Sequence, residues 1–370
     1  MKLIYLIAGT YRAAGMEKVL ADKANWLVSH GYEVMVVTTD QEGREGAFPM
    51  DPSIRQVDLG IGYERTNGKG FLRKAASFPL KQLRHRRKLS RLLKQERADV
   101  VVSMFCNDAS FLPRIKDGSR KVLEVHFSRF KRLQYGRRGI WAAADRYMSR
   151  QDLRHVRAFD RFVVLTEEDK GYWGGLDNIV VIPNSVPRRE QVRLTDHRVI
   201  AVGRLSYQKA IDRLVEAWSR ADRKDWTLSL VGDGECREDI ERLIAEKGLG
   251  DCVELKGVVK DMDSVYKGAS LLALSSRYEG LPMVLLEAQS YGIPAVSFDC
   301  KCGPKDVIRD GENGLLVPEG DIDALAKALS RAISDPEGLR RMGDSAYARS
   351  LRWEPETIMR QWDRLFQELI

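Results

Sequence analysis

Apolar runs of strand length alternate with segments of helical period almost from one end of the chain to the other, and the series runs twice. Strands buried on both faces of a parallel sheet read as short continuous apolar runs, with helices filling the crossovers. The first series predicts strands at Leu3–Ala8, Glu33–Thr38, Val100–Met104, Val122–Val125, Phe162–Leu165 and Ile179–Ile182, with a first helix over Met16–His30. The second predicts them at Val199–Val202, Leu228–Val231, Val253–Leu255, Leu271–Leu274, Ala295–Phe298 and Leu315–Val317. The fold class is therefore α/β, with two similar sheets in tandem. A chain of 370 residues is long for one domain and comfortable for two.

The stretch Pro183–His197, with two prolines, Asn184-Ser185 and a charged run, separates the two series and reads as a linker. It places a first domain over residues 1–187 and a second over 188–352, with residues 353–370 as a closing helix. Helix starts are expected at Asp321 and at Asp335-Pro336, where aspartate caps and proline fits the first turn. The last helix begins around Glu354-Pro355 and carries Trp362, Leu365, Phe366 and Leu369 at helical spacing, so it needs an apolar surface to dock on.

Composition narrows the class. Hydrophobic residues make up 44% and charged ones 31%, and nowhere do about 18 uninterrupted apolar residues occur, so no transmembrane helix is expected. The apolar run after Met1-Lys2 is too short for a signal-peptide core. Five scattered cysteines, with no histidine at metal-ligand spacing, suit a reducing cytosol. The net charge of +8 hides a split: residues 1–190 hold 35 Lys+Arg against 22 Asp+Glu, giving +13, and residues 191–370 hold 26 against 31, giving −5. The basic excess gathers in Lys69–Arg97, with Arg84, Arg86, Arg87, Lys88 and Arg91, and in Arg129–Arg161. Such stretches attract anionic membrane surfaces or polyanions, or else form a solvated helix face.

In an open parallel sheet ligands gather at the carboxyl ends of strands, and three loops there carry chemistry. The first, Gly9-Thr10-Tyr11-Arg12-Ala13-Ala14-Gly15-Met16-Glu17, has the small residues that let backbone N–H groups and a helix start approach an anion, although an unliganded turn uses glycine as often. The second, Gly203-Arg204-Leu205-Ser206-Tyr207-Gln208-Lys209, sets two cations five residues apart between a strand end and a helix start. That arrangement can clamp a diphosphate and neutralise charge growing on it; the alternative is two solvated bases. The third, Ser275 to Pro282, leads into the helix Met283–Tyr291. Pro282 suits its first turn and Gly280 admits a ligand near the backbone. Glu279 lies in this loop, and Glu287 lies in an otherwise apolar helix, where a carboxylate needs hydrogen bonds from ligand hydroxyls or from a buried structural partner.

Glu279-Gly280-Leu281-Pro282-Met283-Val284-Leu285-Leu286-Glu287 resembles the E-x7-E motif of retaining GT-B glycosyltransferases of family 4, and Gly203-Arg204 through Lys209 resembles their G-R-x-x-x-x-K clamp. The similarity extends over nearly the whole chain, including Asp160–Thr166, Ile182-Pro183-Asn184 and Gly311–Pro318. It implies two Rossmann-like domains facing a cleft, with the last helix returning to the first domain. It further implies that Arg204 and Lys209 hold the donor diphosphate, Glu279 contacts the donor sugar and Glu287 the ribose, with Asn184, Gly203, Gly280, Leu281 and Pro282 around them. In the first half Ala14-Gly15-Met16-Glu17 is similar to the family's G-G-x-E loop, with Ala14 in place of the first glycine, and His126 matches a histidine beside the reacting sugar.

The expectation is thus a sugar transferase using a nucleotide donor, a UDP-sugar, with no metal and no further cofactor. Its acceptor would be a lipid-linked glycan or surface-polysaccharide precursor. The basic first half would face the inner membrane surface from the cytoplasm, with no nucleic-acid partner. A UDP-sugar epimerase of the same shape is the competing enzymatic reading, and a nucleic-acid-binding surface the non-enzymatic one. Asp261-Met262-Asp263 looks like a metal clamp but sits where a helix cap belongs, and Cys300 with Cys302 read as packing thiols.

Overall fold

The computed structural model describes residues 1–12, 14–66, 71–131 and 139–370, and Ala13, Lys69 and part of the Arg129–Arg161 basic stretch lie outside them. Contacts divide the chain into two compact units, one of residues 1–165, 170–182 and 359–370, the other of residues 166–169 and 183–358.

The first unit holds β1 (Lys2–Ile7), α1 (Gly15–Ser29), β2 (Glu33–Thr38), β3 (Arg55–Asp58), α2 (Phe71–Glu96), β4 (Val100–Ser103), β5 (Arg120–Glu124), α3 (Ile140–Val156), β6 (Arg161–Val164), most of α4 (Glu167–Trp173) and β7 (Ile179–Val181). The strands form one parallel sheet in the order β3-β2-β1-β4-β5-β6-β7. The order reverses at the β1/β4 pair, so the loops after those strands open the crevice typical of such sheets. Ile4, Leu6, Val101, Leu123 and Phe162 anchor the core on one face. β3 was not expected: as an edge strand reading Arg-Gln-Val-Asp it is mostly exposed and shows no apolar run. In α2, His85, Leu89 and Leu93 recur every four residues and are buried, as one face of a helix packed on a sheet should be.

The second unit continues with β8 (Arg198–Val202), α5 (Ile211–Arg220), β9 (Thr227–Val231), α6 (Arg237–Glu246), β10 (Val253–Gly257), α7 (Met262–Lys267), β11 (Leu271–Leu274), α8 (Met283–Ser290), β12 (Ala295–Asp299), α9 (Pro304–Val307), β13 (Gly314–Pro318), α10 (Ile322–Ser334) and α11 (Pro336–Ser350). Its parallel sheet runs β10-β9-β8-β11-β12-β13, reversing at β8/β11. Trp218, Leu228, Phe298, Leu325 and Leu329 lie fully buried at its centre. The expected caps form: the Asp321 carboxylate accepts the Ala324 N–H at 2.9 Å, and Asp335 accepts that of Gly338 at 2.8 Å with Pro336 in the first turn.

The proline-rich stretch after β7 is tied down by backbone bonds from Val186 N–H to Trp353 C=O (2.8 Å) and from Val192 N–H to Tyr291 C=O (2.9 Å). The last helix, α12 (Pro355–Gln367), begins where expected, and from Met359 onward it counts with the first unit. There Trp362 and Phe366 are buried, Tyr32 donates to Asp363, and Arg120 Nε donates to the Leu369 carbonyl at 2.9 Å. Among the described residues no helix is long and apolar enough to cross a membrane.

Candidate functional site

In the second unit the two reversal-point loops are stitched together. The loop after β8 approaches the loop after β11 through Arg277 N–H to Gln208 C=O (2.8 Å), Gln208 Nε2 to Tyr278 C=O (3.1 Å) and Ser275 Oγ to Lys209 C=O (2.9 Å). Within that frame Lys209 Nζ meets Glu279 Oε1 at 2.7 Å, and Ser276 Oγ donates to the same oxygen at 2.6 Å. Glu279 is 7% exposed, so its charge is compensated by the lysine it was expected to work beside. An ammonium has three donors, and Lys209 spends one here. Arg204 stands exposed at the end of β8, and its guanidinium makes no hydrogen bond or ion pair among the described residues. A carboxylate anchored by lysine thus sits in one frame with a guanidinium that is unpaired among the described residues.

Of the glycines behind this frame the sequence reading singled out Gly203 and missed Gly232, Gly234 and Gly303. Gly203 has φ +145°, and a Cβ there would stand 3.0 Å from Lys209 Cε. Gly232, with φ +135°, passes so close to the neighbouring loop that a Cβ would fall 2.0 Å from the Gly203 carbonyl oxygen, and one on Gly234 would fall 2.4 Å from that of Leu205. The pair follows β9 at the sheet's carboxyl edge, which was the available signal. Gly303, at φ +98°, lets its loop reach Pro282, whose Cδ would lie 2.4 Å from a Cβ. Gly232→Ala therefore forces the loop carrying Gly203 and Arg204 out of place. Clash and backbone strain together cost on the order of 2–4 kcal/mol. Calorimetry is expected to show a lower Tm; a variant melting like the parent contradicts this.

Pro282 N-caps α8 without a side-chain hydrogen bond, so the first N–H groups of that helix have no side-chain cap. Leu281 and Pro282 are buried beneath them, and Asn184 Nδ2 donates to Met283 Sδ at 3.4 Å. Further along α8, Glu287 is half-buried and accepts the Tyr266 hydroxyl at 2.5 Å. Tyr266 is 2% exposed, stacks on Tyr291 at 5.1 Å, and has its pKa pushed well up, first by burial and then by Glu287. Tyr266 is a partner that sequence spacing could not reveal. The Asp261-Met262-Asp263 stretch caps α7, with Asp261 accepting the Ser264 N–H at 3.3 Å. Cys302 does more than fill space: its N–H donates to Glu168 (3.1 Å) and its thiol to Asp169 (3.5 Å), which ties residues 166–169 into this unit.

In the first unit, α1 starts at Gly15 with no side-chain cap from Ala14, and a Cβ on Gly15 would meet no atom within 4 Å. The fold leaves that approach open. Glu17 is buried at the same helix start, and burial raises its pKa. His126 follows β5 and lies against a buried ion pair absent from the sequence reading. Glu124 Oε1 receives Lys23 Nζ at 2.5 Å, and His126 Nε2 lies 3.1 Å from the same oxygen but off the line of a hydrogen bond. Burial works to raise the Glu124 pKa; Lys23 and His126 outweigh it and hold the carboxyl near 2. The indole of Trp362, on α12, lies over Lys23 Nζ at 3.7 Å.

Two family models match the chain almost end to end: Glycosyltransferase Family 4 over residues 13–190 and Glycosyl transferases group 1 over residues 185–349. The chain belongs to the group 1 glycosyltransferases. It is 38% identical over 228 residues to an exopolysaccharide phosphotransferase of Streptomyces coelicolor, covering 59% of this chain but only 24% of that protein. It is 25% identical, over 100% of this chain and 99% of the other, to a Campylobacter jejuni α-1,4-N-acetyl-D-galactosaminyltransferase whose name gives a glycan on PP-undecaprenol. The structure of Anabaena HepE in complex with UDP superposes with a TM-score of 0.77 at 17% identity, covering both chains completely. The fold of this group 1 glycosyltransferase is GT-B.

Proposed function

We propose that this glycosyltransferase moves a sugar, with retention at the anomeric carbon, from a UDP-hexose or UDP-N-acetylhexosamine to a hydroxyl of a lipid-linked glycan or surface-polysaccharide precursor. The observation that carries the reading is that Arg204, without a hydrogen bond or ion pair among the described residues, and the lysine-anchored Glu279 stand on adjoining loops at one sheet edge. Arg204 and the two spare donors of Lys209 meet the diphosphate and stabilise the charge that grows as it leaves. The uncapped start of α8 adds its N–H dipoles. Fixed cations do here what a divalent ion would do, so a chelator is expected to leave the rate unchanged. Glu279, held by Lys209 and Ser276, faces the donor sugar, and the leaving phosphate takes the acceptor proton. The open approach at Gly15 and the imidazole of His126 serve the reacting sugar. The Campylobacter relative's lipid-linked glycan and the UDP held by the Anabaena protein support these choices of acceptor and donor. The basic first half is assigned to the inner membrane surface that bears such acceptors.

Glu287 is assigned to the ribose hydroxyls, with Tyr266 orienting its carboxylate. A charged hydrogen-bond pair contributes about 1.5–3 kcal/mol. Glu287→Ala is therefore expected to weaken UDP binding by tenfold or more in titration calorimetry; an unchanged affinity contradicts the assignment.

A further inference from the structure

Some bases of the first unit's basic stretch are bonded within the fold and others are not. In α2 two lysines are bonded to the backbone of the preceding loop: Lys81 Nζ donates to the Gly62 carbonyl and Lys88 Nζ to that of Leu59. Arg84, Arg87 and Arg91 follow one another at helical spacing on the face opposite buried His85, Leu89 and Leu93, all exposed and without a hydrogen bond or ion pair among the described residues. No aspartate or glutamate occurs between Phe71 and Gln95 to neutralise them. On the same face stand Leu80, 72% exposed, and Leu83, 45% exposed.

A second helix extends the surface. α3 presents Arg150 and Arg154, again exposed and unpaired among the described residues, beside Tyr147 at 62% exposure. The two helices adjoin across a shallow groove of about 360 Å³ that Leu83 and Arg86 line from α2 and His155 from α3.

We infer that the outer face of α2, continued by α3, docks on an anionic lipid bilayer, with Leu80 and Leu83 inserted among the acyl chains and the arginines on the headgroup phosphates. The inference deepens, and rests on, the membrane part of the proposed function. Charge complementarity alone would also admit RNA. The leucines decide between them: a single exposed leucine is ordinary, but two on a cationic stripe add nothing to a phosphate backbone and contribute much at a bilayer interface. Arginine's long stem suits such a surface, since it can bury its methylenes and keep its guanidinium at headgroup level.

The test uses the full chain without donor or acceptor, so its outcome is independent of transfer. The protein is expected to sediment with phosphatidylcholine vesicles containing phosphatidylglycerol, not with phosphatidylcholine alone, and to be released by salt. At roughly 1 kcal/mol per arginine, Arg84→Ala/Arg87→Ala/Arg91→Ala weakens the association about a hundredfold. Leu80→Ser/Leu83→Ser weakens it at least about tenfold. Circular dichroism, Tm and UDP affinity of both variants should match the parent, because the altered side chains are exposed and outside the donor site. Three results overturn the inference: no binding to the anionic vesicles, undiminished binding by the correctly folded variants, or an RNA gel shift that the vesicles do not compete. If vesicle binding behaves as expected but no sugar is transferred, the docking face stands and the transfer reading falls.

Discussion

Alanine at Arg204 or at Lys209 is expected to lower kcat/KM for sugar transfer by at least tenfold, and at Lys209 by about 10²–10³, the loss typical of removing one preorganised charge from a developing anion. The two variants should differ in stability. Arg204 is exposed and unpartnered among the described residues, so Arg204→Ala leaves Tm where it was. Lys209→Ala strands the nearly buried Glu279 carboxylate with only the Ser276 hydroxyl, so it lowers Tm as well as rate. Arg204→Lys keeps the charge but loses the planar fork and is expected to restore only part of the activity. Steady-state kinetics with calorimetry on the three proteins decides the matter; full activity in both alanine variants removes the diphosphate clamp from the account.

The largest stability effect is expected at Glu124. Its side chain is 1% exposed and Lys23 is 5% exposed under Trp362, so Glu124→Ala leaves an ammonium buried with no counter-charge. Breaking a buried pair from one side costs about 3–5 kcal/mol. Replacing both partners by apolar residues of similar volume, Lys23→Met with Glu124→Leu, is expected to recover most of that stability. The acid side follows from the sign of the shift. Glu124 sits near 2 in the folded chain against an ordinary 4.5, so its contribution is fully present above about 4.5 and is lost as pH falls toward 2. Melting curves of Glu124→Ala should lack this part of the acid loss; a variant melting like the parent would show that the pair contributes nothing.

The elements with the clearest sequence signal were the ones buried on two faces. β2 and β11 have the predicted bounds, because a central parallel strand cannot hide its apolar run. β3 escaped because an edge strand that packs little needs no such run. The same difference holds at the proposed donor site. Arg204, Lys209, Glu279 and Glu287 stand on loops and a helix whose spacing is local, so they could be singled out from the chain alone. What holds them comes from afar: Gly232 and Gly303 matter through close approaches to other loops, and Tyr266 reaches Glu287 across 21 positions. Lys23 and Glu124 lie 101 residues apart and meet only once β5 and α1 are packed. The sequence grouped Lys69–Arg97 as one basic patch, whereas in the fold Lys81 and Lys88 of α2 are bonded to the carbonyls of Gly62 and Leu59.

The central claim is that this chain releases a nucleoside diphosphate only by passing the sugar to a glycan hydroxyl. The most direct measurement offers radiolabelled UDP-, GDP- and ADP-sugars with membrane extract, following nucleotide release and the lipid-extractable label together. The account predicts that UDP-sugar alone is consumed, that UDP and labelled lipid-linked glycan appear in equal amounts, and that both depend on the extract. Release or rearrangement of the UDP-sugar without extract, or no labelled glycan with any donor, contradicts it.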